Sequence, residues 1–249
     1  MSDKRYNSSS ALDNDKPLIS IIIVVYNAVN VLETTIKSLT DQTYKNTDLV
    51  VIDGGSTDGT IEILEKYNQY ISYWKSEPDN GIYDAMNKGI KFAKGDWIYF
   101  LGAGDVLLNV LHEVSEKLQN PNYIYYGDVY KKDVRTIYDG EFSPFKLAVN
   151  NICHQAIFYP ARALEKYNFE IKYKILADHH LNMQLYGDKS FRLVYIPLLI
   201  SIYDGGGFSS TNSVDTAFFN DKIQIIKANF SFVVFSYAYL RRMLAKIIK

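Results

Sequence analysis

The first hundred residues alternate between short apolar runs and segments whose apolar positions recur at helical spacing. Leu32, Ile36 and Leu39 share one helical face, and Asn30 with Glu33 has the spacing of a capping box at the start of that helix. Four apolar runs predict strands, the first of them buried on both faces: LISIIIVV at 18–25, DLVVI at 48–52, ISYWKS at 71–76 and WIYFL at 97–101. The alternation predicts an α/β sheet with helices on both sides.

The pattern changes after about residue 120. Segments 123–130 and 191–203 predict strands, and 177–186 predicts the start of a helix. From 217 to 249 the composition is helical, with the apolar stretch FSFVVFSYAYL at 230–240 followed by Arg241, Arg242, Lys246 and Lys249. That stretch is shorter than the roughly 20 apolar residues that span a bilayer. The tail is therefore predicted to be an interfacial amphipathic helix or a dimer helix, with a helix docked on the core as the alternative.

Length and composition add boundaries and exclude one class of partner. The chain has 249 residues, and its polar residues 1–16 lack the apolar run of a signal peptide, so we expect a disordered leader, a main domain at 17–215 and a helical tail at 216–249. The single cysteine, Cys153, fits a reducing compartment, which predicts a cytoplasmic protein. A net charge of −1 gives no basic field that would favour nucleic acid.

Polar clusters follow the predicted strands, where α/β sheets bind ligands. Asp53 closes a strand and precedes Gly54 and Gly55, which would let a ligand approach the backbone while the carboxylate accepts its hydrogen bonds. A tight turn with Asp53 as its cap is the alternative. In FLGAGD at 100–105, Asp105 is one carboxylate, which suffices for Mg²⁺ when substrate phosphates complete the shell. The alternative is that Asp105 caps a helix at 106–111.

Two later residues are candidates for chemistry. Asp178, at a predicted helix start, is either a general base or a charge favoured by the helix dipole. His154 could meet a phosphate or an acceptor, or be a hydrogen-bonded structural residue. GGGFSS at 205–210 could form a backbone nest for an anion, or a mobile loop.

Seven segments in order resemble the family 2 glycosyltransferases. They are VVYN at 24–27, DGGSTDGT at 53–60, EPDNGIYDAMNKGI at 77–90, GDWIYFLGAGD at 95–105, HQAIFYP at 154–160, ADHHL at 177–181 and GGGFS at 205–209. The resemblance covers roughly residues 18–210 and is closest to bacterial exopolysaccharide transferases of the colanic-acid cluster type. It implies a GT-A fold of the nucleotide-diphospho-sugar transferase type, with a mixed, mostly parallel central sheet flanked by helices and a C-terminal helical extension.

The resemblance also implies an activity and the residues that carry it. The enzyme would move a sugar from a nucleotide sugar to an acceptor hydroxyl with inversion, the acceptor being a lipid-linked saccharide, at the inner face of the plasma membrane. Asp178 would be the catalytic base, Asp105 would hold Mg²⁺ or Mn²⁺, and Asp53 would accept from the nucleotide base. The remaining implied donor-binding residues are Val25, Tyr26, Asn27, Gly55, Asn80, Asp84, Asn87, Lys88, Ala103, Gly104 and His154.

One departure from the family pattern affects the metal site. Many members carry acidic residues where this chain has Gly102 or Gly104, which predicts a weak metal site that the substrate completes. Two other functions stay open at this point. A sugar nucleotidyltransferase would show a glycine-rich, basic loop after the first strand, where this chain has YNAVNVLE. A non-catalytic scaffold is supported only by the reduced metal motif.

Overall fold

A computed structural model describes residues 16–206 and 214–247, and a nine-stranded sheet forms the centre of this described part. The strand order is β3-β2-β1-β4-β8-β6-β9-β5, and β7 pairs with β6. The strands are β1 (Ile19–Val25), β2 (Thr47–Asp53), β3 (Tyr73–Ser76), β4 (Trp97–Gly102), β5 (Val106–Leu107), β6 (Tyr123–Lys131), β7 (Thr136–Tyr138), β8 (Ile157–Pro160) and β9 (Arg192–Tyr203).

Strand direction places several carboxyl ends at one edge of the sheet. Strands β1 to β4 are mutually parallel, β8 runs antiparallel between β4 and β6, and β9 is parallel to β6. Two reversals at β8 turn β6 and β9 in the same direction as β1. Val25, Asp53, Gly102, Lys131 and Tyr203 therefore end their strands at the same edge. The expected mixed, mostly parallel sheet is confirmed.

The helices cover both faces of this sheet. On one face α1, α2 and α4 pack against Ile21 and Ile23, and on the other α3 and α5 to α9 share a core with Ile22 and Val24. The alternation explains why β1 is apolar without interruption. The helices are α1 (Leu32–Thr40), α2 (Thr60–Lys66), α3 (Ile82–Ile90), α4 (Leu111–Lys117), α5 (Pro144–Val149), α6 (Ala161–Lys166), α7 (Ala177–Gly187), α8 (Thr216–Asn229) and α9 (Phe232–Ile247).

The expected capping box at the start of α1 is wrong. The helix begins at Leu32, and no side chain caps its amino end. The backbone N–H of Leu32 already donates to the carbonyl of Ala28. The carboxylate of Glu33 turns instead to α2, where it accepts hydrogen bonds from Lys66 at 2.8 Å and from the Tyr67 hydroxyl at 2.7 Å. A charged partner on a neighbouring helix is a stronger attraction for an acid than a neutral backbone N–H.

The tail forms two helices that pack on the main body. Phe218 and Ile226 of α8 and Val234 of α9 are buried in the core that α7 also lines. Among residues 16–206 and 214–247, no helix has the length and apolar character needed to cross a membrane. The predicted leader, residues 1–16, lies outside the described residues except for Lys16, so its disorder and the division into domains stay predictions.

Gly89 is the point where α3 lies closest to the sheet. A Cβ atom at this position would stand 2.6 Å from Cγ2 of Ile22 and 3.4 Å from Cγ1 of Ile52. Helix propensity alone would make Gly89→Ala stabilising by up to about 1 kcal/mol. We expect the opposite, a loss of about 1–3 kcal/mol in the free energy of unfolding, because buried β-branched side chains cannot move aside. Urea unfolding measures this change, with the exposed Lys91→Ala as control.

Candidate active site

A pocket of about 170 Å³ opens near the carboxyl edge of the sheet. Its walls come from the ends of β6, β7 and β9, the amino end of α3 and the turn before β8. Asp178, the second residue of α7, lies in this pocket with only 5% of its surface exposed. The lining of this pocket also includes Tyr83, Lys131, Tyr138, Asn151, Cys153, His154, Gln155, Lys174 and Tyr203.

Three donors surround the carboxylate of Asp178. Oδ1 accepts from the Tyr83 hydroxyl at 3.0 Å and from the backbone N–H of His179 at 2.8 Å. Oδ2 lies 3.1 Å from Nδ1 of His154. Tyr83 is itself held, because its hydroxyl also lies 2.6 Å from the carbonyl oxygen of Ile175. The carboxylate is thus fixed by residues from α3, α7 and the turn before β8.

These contacts keep Asp178 ionised. Burial on its own would raise its pKa, but the hydrogen bond and charge of His154, aided by Tyr83, outweigh burial and lower the pKa below the ordinary value. The pKa of the Tyr83 hydroxyl is raised well above its usual value, first by burial and then by the charge of Asp178, so Tyr83 stays a neutral donor. At neutral pH the site therefore holds a carboxylate that can accept a proton.

A short 3₁₀ turn at 154–156 connects this carboxylate to a second one. While His154 contacts Asp178, the adjacent Gln155 donates its amide N–H to Oδ2 of Asp105 at 2.8 Å. Oδ1 of Asp105 accepts from the backbone N–H of Asp204 at 3.0 Å. Neighbouring residues of one turn therefore hold the two acids that the family motif singles out. The alternative that Asp105 caps a helix is wrong, because residues 106–107 form β5 and α4 begins at Leu111.

Asp105 offers a divalent cation a single buried carboxylate. The carboxylate is 4% exposed, and burial raises its pKa against the hydrogen bonds from Asp204 and Gln155. Its two oxygens accept hydrogen bonds from Gln155 and Asp204, and a carboxylate offers about four acceptor sites in all. Among the described residues, no three histidine, cysteine or acidic side chains form a metal cluster. One hard oxygen ligand fits Mg²⁺ or Mn²⁺ only if a substrate supplies the rest of the shell.

Each glycine of the metal motif stands where a side chain would be strained or would clash. Gly104 has a φ of +101°, which favours glycine, and its N–H donates to the Thr35 hydroxyl at 2.8 Å. At Gly102 a Cβ atom would stand 2.6 Å from Oδ2 of Asp105, so any side chain there would displace the carboxylate. Ala103 is partly buried against the core on the α1 side.

Asn27 connects the loops that follow β1 and β2. Its backbone adopts a φ of 47°, its N–H donates to the Ser56 hydroxyl at 2.7 Å, and its side-chain oxygen accepts from the N–H of Thr57 at 3.0 Å. Val25 is buried, whereas 66% of Tyr26 is exposed. An exposed ring on a fixed loop can stack on a flat ligand group.

Asp53 shapes the turn after β2. Its carboxylate is fully buried and accepts from the N–H groups of Gly55 at 3.0 Å and Ser56 at 2.9 Å, and from the Ser76 hydroxyl at 2.6 Å. Gly55 has a φ of +88°, which suits glycine in this turn. The structure thus displays the alternative in which Asp53 holds the turn, and its contact with a nucleotide base stays a prediction.

Three of the donor-side candidates on or just before α3, Asn80, Asp84 and Lys88, contact one another. Asp84 accepts from the N–H of Asn80 at 2.9 Å and pairs with Lys88 at 3.4 Å, and the hydrogen bond from Asn80 is the largest cause of its lowered pKa, followed by the opposing effect of burial. Asn87 has another role, since its amide bonds both the carbonyl and the N–H of Phe169 at 2.8 and 3.0 Å. These residues organise the amino end of α3, which also positions Tyr83.

Several residues of the pocket were not singled out from the sequence, among them Tyr83, Gln155, Lys131 and Tyr203. Tyr83 and Gln155 lie inside recognised motifs, but only the folded contacts reveal what they donate to. Lys131 ends β6 and Tyr203 ends β9. Both reach the site because β8 is antiparallel to β4 and to β6, so β6 and β9 run in the same direction as β4. Of the glycine loop at 205–210, only Gly205 and Gly206 are among the described residues.

Fold and site together define a class, the α/β enzymes that bind their substrates across the carboxyl edge of a mostly parallel sheet. Residues 20–183 match the family model described as Glycosyl transferase family 2. The chain belongs to this family and is a glycosyltransferase. The chain is 33% identical over 211 residues to the PGL/p-HBAD biosynthesis glycosyltransferase of Mycobacterium bovis, with 81% of this chain and 82% of the relative covered.

Solved structures show the same GT-A fold. TarS of S. aureus in complex with UDP-GlcNAc has a TM-score of 0.71 at 17% identity, over 85% of this chain and 66% of that chain. A mannosyltransferase from Pyrobaculum calidifontis in complex with GDP-Man and Mn²⁺ has a TM-score of 0.60 at 16% identity, over 86% and 63%. The chain thus spans slightly less than two thirds of these proteins. The expected family and fold are confirmed, while the closer resemblance to colanic-acid transferases stays a prediction.

His154 is expected to control the pKa of Asp178. His154→Leu removes the ring nitrogen and any charge while the carboxylate stays buried, so the pKa of Asp178 should rise by about one unit or more. A carbon-13 NMR titration of the Asp178 carboxyl measures this shift directly. His112→Leu, an exposed histidine on α4, is the matched control and should leave that pKa unchanged. An unchanged pKa of Asp178 in His154→Leu would contradict the role of His154 in lowering that pKa.

Proposed function

We propose that this glycosyltransferase moves a sugar from a nucleotide diphosphate sugar to an acceptor hydroxyl, with inversion at the anomeric carbon. The observation that carries the proposal is the buried Asp178 carboxylate, held ionised in a pocket by His154 and Tyr83. Solved proteins of the same fold are complexes with UDP-GlcNAc and GDP-Man, both of which are nucleotide diphosphate sugars. A pocket with one ionised carboxylate fits a single displacement that needs one base.

The transfer needs a base on the acceptor side. As the acceptor oxygen bonds to the anomeric carbon, its proton passes to the carboxylate of Asp178. The bond from that carbon to the diphosphate breaks, and its electron pair leaves with the diphosphate oxygen. The transition state resembles the oxocarbenium ion of glycoside hydrolysis. The hydrogen bonds from Tyr83 and His154 hold the base in place throughout, which limits the reorganisation that the reaction requires.

The donor would lie along the loops after β1, β2 and β4. Tyr26 offers an exposed ring and Asn27 a fixed backbone for the nucleotide, and Gly104 lets the diphosphate approach the chain. Asp105 would hold Mg²⁺ or Mn²⁺ there, and the ion would neutralise the charge that gathers on the leaving diphosphate. Lys131 adds a protein cation at the same edge of the sheet, 3.8 Å from the centre of the Tyr138 ring.

The acceptor is proposed to be a lipid-linked saccharide of bacterial exopolysaccharide biosynthesis, used at the inner face of the plasma membrane. The apolar and basic character of the tail helix α9 supports a place at a lipid surface. The relative from Mycobacterium bovis is named for PGL/p-HBAD biosynthesis, which is also a biosynthetic glycosyl transfer. Family membership favours transfer over both the nucleotidyltransferase and the scaffold.

Asp178→Asn tests the base. The amide retains an acceptor for Tyr83 but cannot take a proton, so transfer should fall about 10²–10⁴-fold. Donor binding, followed by calorimetry with the nucleoside diphosphate, should stay within about twofold, because Asp178 acts on the acceptor side. Asp188→Asn, at the other end of the same helix, is the control and should keep its transfer rate. Near wild-type transfer by Asp178→Asn would exclude Asp178 as the base.

A screen of nucleotide sugars identifies the donor, and Asp105→Asn tests whether Asp105 is the metal ligand. Wild-type protein is screened with nucleotide sugars and their diphosphates, with and without Mn²⁺, for a rise in melting temperature. We expect one nucleotide to stabilise the protein more in the presence of Mn²⁺, because the diphosphate completes the ion's shell. Asp105→Asn should weaken Mn²⁺ binding by at least about tenfold, so Mn²⁺ should add much less to the rise in melting temperature. Stabilisation that is the same with and without Mn²⁺ would contradict a metal at Asp105.

A further inference from the structure

The tail helix α9 is apolar on two opposite faces. Val234 and Ala238 are buried against the body of the protein. The outward face carries large apolar side chains that are exposed to unusual extents: Phe232 at 80%, Val233 at 65%, Leu240 at 60% and Leu244 at 58%. Tyr237, Tyr239 and Met243 are also exposed. An apolar stripe of this length on a helix of a folded protein indicates a surface that something covers.

Every charged residue that follows Asp221 in the sequence is basic. From residue 222 to the last residue the sequence has six basic residues and no acidic one: Lys222, Lys227, Arg241, Arg242, Lys246 and Lys249. Lys222 of α8 is partly buried, and its ammonium group donates to the carbonyl of Val149 at 2.8 Å. It forms no ion pair with the residues that the structure describes. Burial first, and then the nearby charges of Arg241 and Arg242, lower the pKa of Lys222 to about 8.

We propose that α9 docks on an anionic membrane surface. The outward apolar stripe would enter the boundary between headgroups and acyl chains, while Arg241 and Arg242 would meet lipid phosphates. The phosphates would supply a negative partner for these two arginines, which form no ion pair with a residue that the structure describes. A helix lying in the interface needs no spanning length, which agrees with the 16 residues of α9.

A second copy of this chain fits the same surface less well. A twofold interface brings the same patch of both subunits together. Arg241 of each subunit, with the other cations, would then approach an identical positive cluster, and like charges in contact oppose association. The charge pattern therefore favours lipid over a homodimer, and the homodimer becomes an outcome of the test.

The docked helix would place the pocket beside the membrane. Phe145 of α5 packs edge-on against Tyr237 of α9, with ring centroids 5.3 Å apart. The chain then runs from α5 through Asn151 to His154, and both residues line the pocket. An acceptor anchored in the membrane would thus meet Asp178 without leaving its lipid. This consequence rests on the proposed function, whereas the docking itself does not.

Sedimentation with vesicles tests the docking. Full-length protein is mixed with phosphatidylcholine vesicles, either pure or with about one quarter phosphatidylglycerol. We expect binding to be at least about tenfold tighter on the anionic vesicles. Leu240→Glu/Leu244→Glu should weaken that binding by at least about tenfold, because two charges enter the apolar stripe. A second variant, Arg241→Gln/Arg242→Gln, should lose the preference for anionic lipid while it keeps the stripe.

The matched control is Val134→Glu/Ile137→Glu, which changes exposed apolar side chains of the β6–β7 hairpin, 62% and 59% exposed, that do not belong to α9. It should bind vesicles like the wild type. The proposal is overturned if no vesicle binds, if the control loses binding equally, or if the protein is a dimer that Leu240→Glu/Leu244→Glu dissociates. Donor hydrolysis is measured in the same samples. Vesicle binding without any hydrolysis would count against the proposed function alone, and hydrolysis without vesicle binding would count against the docking alone.

Discussion

The site depends on one turn that supplies donors to two buried acids. A buried carboxylate without hydrogen bonds costs several kcal/mol, so each of these acids requires a partner that the fold holds in place. Because His154 and Gln155 are adjacent, Asp178 and Asp105 are linked through a single piece of backbone. That backbone is itself fixed, since the carbonyl of Gln155 accepts from the hydroxyls of Tyr99 and Ser201. The position of the turn is thus set by β4 and β9.

Asp105 and Asp178 are both held by this turn, but their pKa values shift in opposite directions. Burial dominates at Asp105 and raises its pKa, whereas the contacts with His154 and Tyr83 outweigh burial at Asp178 and lower its pKa. Carboxyl groups whose environments move their pKa values in opposite directions are typical of sites in which each has a separate task. A cation at Asp105 would reverse the effect of burial there, because a bound metal is the largest local charge in its site.

The sequence predicted what depends on local pattern. The strands and helices of the first half follow from apolar runs and helical spacing, and parallel pairing then brings Asp53 and Asp105 to one edge. What escaped prediction depends on distant contacts. Glu33 was assigned to a cap although Lys66 on the next helix attracts it more strongly. The place of Lys131 in the pocket required the direction of β8, and the helix predicted at 106–111 gave way to β5 because β9 offers it a partner.

The structure of the tail also depends on contacts between residues that are far apart in the sequence. Pattern alone left α9 with three roles, and the helix does pack on the core through Val234 and Ala238. That packing accounts for one face only, because the opposite face exposes Leu240 and Leu244. The packing also brings Lys222 of α8 close enough to Arg241 and Arg242 for their charges to add to the effect of burial in lowering its pKa. A helix that served only to cover the core would have no reason to carry Arg241 and Arg242 beside an outward apolar stripe. The combination is expected where a folded body meets a charged lipid surface.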